Sequence, residues 1–202
     1  MFHIHVTGKG GHAAEPHTSI DPIVAAASIV SGLQTISSRN HDTQGTLVFS
    51  VTQFHAGTAD NVIPEMAMLN GTIRTFDAGV RDMAVRRMKE IAAGQAASFG
   101  CTATVEIDYG YPPTINHNAQ AAFAARVAAD VVGNDAVAEA VPIMASEDFS
   151  YMLEARPGAY LMLGQGDGAG VHHPKYDFND DVAPIGASFF ARLVETAQPV
   201  AR

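Results

Sequence analysis

Cysteine is almost missing from this sequence: one residue, Cys101, in 202. A single thiol excludes an internal disulfide framework and any cysteine-rich metal cluster. It fits a reducing compartment, and a free cysteine is most often a small core residue. Positive charge is scarce too. Twelve Lys and Arg against 21 Asp and Glu leave a formal charge of −9 and a pI near 5.3. That balance argues against a nucleic-acid binder, which needs cations to displace phosphate counterions, and against a polybasic membrane-surface protein. No apolar run approaches the roughly 18 residues of a spanning helix. Nor does a basic, then apolar, leader precede Phe2-His3-Ile4-His5-Val6. The expectation is a soluble, cytoplasmic protein. Charged residues of both signs make up only 16%, while 47% are hydrophobic. A core is assured, but so little charged surface suggests extensive association or a part of something larger.

Patterning divides the chain. Phe2, Ile4 and Val6 alternate with His3, His5 and Thr7, a period of two that predicts a half-buried strand. The glycines and proline of Gly8 to His17 predict a loop. Asp21 then caps a helix with Pro22 at its first position, and Ile23, Ala26, Val30 and Leu33 recur on one face. Strands are expected over 46–53, 67–75 and 102–108. Between the last two, Val80, Ala84, Met88 and Ile91 mark a second amphipathic helix ended by Gly100. The order β-α-β-β-α-β over residues 1–112 is that of a ferredoxin-like sandwich. Pro112 and Pro113 read as a boundary. Beyond it, helices are expected over 117–132 and 183–197. The run Ala159 to Gly164, apolar on both sides, predicts a central strand covered on both faces. This second piece therefore looks like half of an α/β domain.

Nine histidines invite a search for chemistry. His3 and His5 share a strand face; a metal could bind there, but a solvated or interface-facing strand explains them equally. His41, His55 and His117 read as surface residues. His172-His173-Pro174 follows a glycine-rich loop after an apolar run, where α/β sheets place active sites. A neutral imidazole at that position could ligate a divalent ion. His12 among its glycines could donate to an oxyanion or simply decorate a loop. Arg74, on an otherwise uncharged strand, calls for an anion, either a substrate or a neighbour such as Asp77. Asn61 in Asn61-Val62-Ile63-Pro64 could be an ordinary turn residue. Walker, Rossmann and Gly-x-Ser-x-Gly motifs are absent, which disfavours a P-loop protein, a dinucleotide binder or a serine hydrolase. A β-α-β-β-α-β RNA-recognition fold lacks its basic and aromatic central strand here.

Six ordered stretches together resemble the M20 family of metal-dependent amidohydrolases and peptidases, in particular its hippurate hydrolase and N-acyl-amino-acid amidohydrolase subgroup. They are Gly8-Lys9-Gly10-Gly11-His12-Ala13-Ala14-x-Pro16-His17, Asp21-Pro22-Ile23, Ala56-Gly57-x-Ala59-x-Asn61-Val62-Ile63-Pro64, Gly71-Thr72-Ile73-Arg74, Ser146-Glu147-Asp148-Phe149, and His172-His173-Pro174 ahead of Tyr176-Asp177-Phe178-Asn179. The resemblance implies a ferredoxin-like lid that also dimerises (residues 1–112), followed by the C-terminal part of a catalytic domain (115–202). It implies a pair of divalent ions (Zn, Mn, Co or Ni), an N-acyl amino acid as substrate, and a homodimer formed through the lid. It casts His172 as a metal ligand and His12 as an oxyanion stabiliser reaching across the dimer. Asn61 would support the same region and Arg74 would grip the substrate carboxylate. Glu147 falls near the metal centre without an assigned role. The segment with most family metal ligands and the general base has no counterpart in this sequence, so the expectation is a truncated chain that is inactive alone. The alternative is a non-catalytic dimerisation or binding module built on the lid.

Overall fold

A computed structural model describes residues 1–198 of the chain. It falls into two compact units, Met1–Pro113 and Thr114–Arg202, each considered by itself.

The first unit is a four-stranded antiparallel sheet carrying two helices. Its elements are β1 (Phe2–Thr7), α1 (Pro22–Leu33), β2 (Val48–Ala56), β3 (Met66–Arg74), α2 (Ala78–Ser98) and β4 (Thr102–Ile107). The strands lie in the order β2-β3-β1-β4. Alternation in β1 does what the sequence implies: Phe2, Ile4 and Val6 are wholly buried, with Phe2 stacked on Phe49. They pack with Ala26, Ile29 and Leu33 of α1 and Ala84, Met88 and Ala92 of α2 into a single core. Both helices are capped by aspartate. Asp21 accepts the Ile23 N–H at 2.8 Å and Asp77 accepts the Val80 N–H at 2.9 Å, each replacing a hydrogen bond that a helix N-terminus lacks. α2 ends through Gly100, whose φ of +75° suits the left-handed turn. α1 ends at Leu33, the last residue of its periodic pattern, and is followed by a π-turn over Ile36–Asn40. Cys101 is a core residue, and burial pushes its thiol above the ordinary range.

The second face of the sheet is not covered by the unit's helices and carries polar side chains. His3 Nδ1 donates to Asn70 Oδ1 at 2.8 Å, and Asn70 Nδ2 donates to Gln53 Oε1 at 2.6 Å. His3 is thus a link in a cross-strand polar row.

The second unit holds α3 (Asn118–Val132), the short α4 (Phe149–Ala155) and α5 (Ala183–Ala197). Arg192 of α5 pairs with Asp130 of α3 at 3.3 Å. The strand expected over 159–164 does not form. Leu161, Met162 and Leu163 are 41%, 65% and 50% exposed, and no strand of this unit exists among the described residues. A two-sided apolar strand needs partners on both edges and cover on both faces. None is supplied here, so the segment runs extended and unpaired.

Gly71 in β3 marks how tightly the first sheet is packed. A Cβ there would sit 2.2 Å from the Ser50 carbonyl oxygen and 2.3 Å from the Phe2 ring. Gly71→Ala is expected to cost about 3 kcal/mol, the upper end for overpacking, read as a lower urea midpoint with an unchanged slope.

Candidate functional site

The first cluster grows from the exit of β1. Gly8 N–H donates to the Glu65 carbonyl at 2.9 Å, and Lys9 exchanges two backbone bonds with Ile20, at 2.8 and 2.9 Å. The chain continues into a two-residue ladder that pairs Gly11 with Ile63 and His12 with Val62. Glycine is required at the start of this path: a Cβ on Gly8 would lie 2.1 Å from the Ile20 carbonyl oxygen. Ala13 N–H then donates to the Asn61 carbonyl at 3.0 Å. His12 and Asn61 are therefore brought together, both exposed.

The His12 ring is oriented by its own turn. Its Nδ1 accepts the Ala14 N–H at 3.1 Å, while its carbonyl accepts the Glu15 N–H at 2.8 Å. An imidazole accepting at Nδ1 carries its proton on Nε2 when neutral, so the outward nitrogen is a donor. That is the arrangement an oxyanion would use.

Arg74 is not part of this cluster. It is the last residue of β3, whereas His12 lies beyond the strand's first residue, Met66, which pairs with Thr7. Eight residues of extended chain separate the two ends, about 27 Å at the rise of a strand. One unit cannot bring His12 and Arg74 to the same small molecule.

In the second unit, His172 sits in an exposed loop and has φ of +68°, the one non-glycine residue with positive φ among those described. The turn is closed by the His173 N–H donating to the Gly170 carbonyl at 3.1 Å. A left-handed conformation costs a residue with a Cβ about 1–2 kcal/mol, and such positions gather at functional sites. The loop is gathered at its base by Gln165. Its carbonyl accepts from Asn179 Nδ2 at 3.1 Å and its side-chain oxygen from the Tyr176 hydroxyl at 3.4 Å.

Glu147 precedes α4 and is fully engaged. Oε1 accepts the Phe149 N–H at 3.3 Å and Oε2 accepts the Tyr160 hydroxyl at 3.2 Å. The Phe149 N–H, then Asp148, then Tyr160 hold its carboxyl below the usual carboxylate range. Burial and the facing Glu147 carboxylate push the Tyr160 phenol up. Tyr160 is also held by its backbone. Its N–H donates to Asn116 Oδ1 at 2.7 Å and its carbonyl accepts Asn116 Nδ2 at 2.9 Å. Beside it, His117 Nδ1 accepts the Gly158 N–H at 3.2 Å. Sequence reading missed Asn116, His117 and Tyr160 because lone polar residues at a helix entry carry no periodic signal.

Among the described residues, no group of three or more His, Cys, Asp or Glu is placed to hold a metal ion. Two ions bound by side chains need more donors than His172 alone provides. The residues present do not by themselves fit such a centre.

The chain has a mixed α/β fold, with His12 exposed on a short ladder of one unit and His172 exposed on a loop of the other. It belongs to peptidase family M20/M25/M40, whose model matches residues 2–196. It is 40% identical over 201 residues to an IAA-amino acid hydrolase ILR1-like 2 of Arabidopsis thaliana, covering 96% of this chain and 45% of that protein. It is 37% identical to an N-acetylcysteine deacetylase of Bacillus subtilis, over 95% of this chain and 50% of that protein. Among solved structures it matches a dinuclear metal binding peptidase of the M20 family from Bacillus subtilis. The TM-score is 0.79 at 29% identity, covering 99% of this chain and 50% of that one. The chain thus spans about half the length of the curated relatives it matches. No helix among the described residues is long and apolar enough to cross a membrane.

The lowered Glu147 carboxyl fixes a sign. A carboxylate whose acidity is strengthened by folding adds stability above its unfolded pKa, and that stability is lost as pH falls through the folded value. Glu147→Gln is therefore expected to lower the urea midpoint of the second unit at pH 7. It should also flatten the loss of stability between about pH 5 and pH 2, below the ordinary carboxylate range.

Proposed function

We propose that this chain is the lid and the C-terminal catalytic portion of an M20 amidohydrolase that cleaves the amide bond of N-acyl amino acids, hippurate-like substrates included. The βαββαβ order of residues 1–112 and its strand order β2-β3-β1-β4 support a ferredoxin-like lid that also dimerises. Residues 115–202 form part of the catalytic domain. His172 is one ligand to a divalent ion (Zn, Mn, Co or Ni), and the other ligands lie outside residues 1–198.

The observation that carries the reading is the fixed ring of His12. With Nδ1 occupied by the Ala14 N–H, Nε2–H is left to donate to the negative oxygen that develops when water adds to an amide carbonyl. The Asn61 carbonyl, by holding Ala13, keeps that donor at the end of its ladder. Arg74 pairs with the carboxylate of the amino acid through charge-assisted hydrogen bonds. Because His12 and Arg74 stand at opposite ends of β3, a single substrate meets the His12 of one copy and the Arg74 of the other. That separation supports a homodimer. The shortage of metal ligands favours a second reading, a non-catalytic dimerisation module. Activity separates the two.

The isolated chain, supplied with Zn2+, Mn2+, Co2+ or Ni2+, is expected not to hydrolyse hippurate or N-acetyl amino acids; rapid metal-dependent turnover would overturn its inactivity alone. Joined to the N-terminal half of the Bacillus subtilis deacetylase, it is expected to hydrolyse N-acetyl amino acids. A joined protein that folds, binds two metal ions and remains inert would favour the module.

In that joined protein His12→Ala should lower kcat by about 10²–10³, the effect of removing one oxyanion donor. A 1:1 mixture of His12→Ala and Arg74→Ala variants should recover about a quarter of the parental activity, since half the dimers are mixed and each regains one intact site. No recovery after subunit exchange would mean that both residues serve one site from one copy.

A further inference from the structure

We propose that Glu147 is a positioning residue, pinning Tyr160 so that the chain enters the His172 loop along a single path, and is not itself a metal ligand. The role assigned to His172 rests on the function proposed above; the tie between Glu147 and Tyr160 does not.

Residues 158–164 have no neighbouring strand to fix them, yet they lead directly to the loop that ends in His172. Polar side chains take the place of a strand partner. Asn116 offers its amide to both backbone groups of Tyr160, at 2.7 and 2.9 Å, as a neighbouring strand residue would. His117 exchanges backbone and ring bonds with Gly158, at 3.1 and 3.2 Å. Glu147 adds a hydrogen-bonded anchor to the Tyr160 side chain, at 3.2 Å, beside the Phe149 ring, whose centroid lies 5.5 Å from that of Tyr160. At the far end of the same stretch, Asn179 and Tyr176 fasten Gln165. The segment is therefore tied at Tyr160 and again at Gln165, immediately before the loop carrying His172.

The bonds that Glu147 makes point to an anchor. Its two oxygens accept from the Phe149 N–H and the Tyr160 hydroxyl, and its carbonyl accepts the hydroxyl of the buried Ser150 at 2.7 Å. Each carboxylate oxygen keeps a further lone pair, but among the described residues no group of three or more metal-binding side chains gathers around it. Asp148 is the other acidic group facing this pair.

The test uses the 202-residue chain with its tyrosines 13C-labelled at Cζ. In the unmodified chain Tyr160 is expected to ionise above a free phenol, and in Glu147→Ala at a lower pH. Amide exchange of Tyr160 through Gln165 should quicken in Glu147→Ala and be largely restored in Glu147→Gln, which keeps an acceptor oxygen. Tyr160→Phe added to Glu147→Ala should produce no further quickening. The proposal is overturned if Tyr160 titrates as a free phenol, if Gln is as damaging as Ala, or if saturating Zn2+ releases Tyr160 from Glu147. Activity of the joined protein that survives His172→Ala would sink the ligand reading instead and leave the Tyr160 signature in place.

Discussion

The first unit depends on one constraint: β1 is paired on both edges, with β3 on one side and β4 on the other. Its two neighbours fix its register, and its buried face carries Phe2, Ile4 and Val6 into the middle of the core. A one-residue slip would turn those three outward and His3 and His5 inward. The slip would be costly, because burying each large apolar side chain is worth about 1.5–3 kcal/mol. The same register decides where the chain leaves the sheet. Thr7 opposite Met66 leads to Gly8 against Glu65, then to Gly11 and His12 against Ile63 and Val62. The position of the His12 imidazole is thus set by the hydrophobic pattern of a strand that ends five residues before it.

The register also separates chemistries. A strand that starts beside His12 and ends at Arg74 behaves as a spacer about 27 Å long. Lid motion cannot fold the strand back, since that would break a ladder bonded on both sides. Any reaction that needs both groups must therefore draw them from two copies. On the proposed reading association belongs to the chemistry, and it gives the sequence's shortage of charge a physical place. A unit whose function requires a second copy can leave part of its surface uncharged without being insoluble.

The sequence was legible where one physical signal sufficed. Period-two alternation located β1, the Asp21 cap located α1, helical periodicity located α2, and Gly100 located its end. Glycine spacing around His12 pointed to close backbone approach, which the Gly8 and Ile20 contact explains. Legibility failed where order comes from isolated polar contacts. Residues 159–164 read as a buried strand because apolar composition implies cover, but composition cannot say whether the covering partners are present. The true support, Asn116 and His117 acting on the backbone of 158–160, has no period to detect. The family motifs marked Glu147 and His172 without saying what each does. Only geometry separates a carboxylate with both oxygens occupied from an imidazole held outward on a loop.

The two units differ in what orders them. In the first, His12 and Arg74 ride on a sheet whose core fixes them to within the rigidity of packed side chains. In the second, the segment before His172 has no strand partner, and directed hydrogen bonds supply much of its order. Such bonds contribute only about 0.5–1.5 kcal/mol each when made, so roughly two or three are needed where one buried leucine would serve elsewhere. The concentration of Asn116, His117, Glu147 and Tyr160 around three residues of backbone fits that arithmetic. Losing one weakens the path without destroying the unit. His172 can then hold a strained backbone conformation because the chain before it has few other places to go.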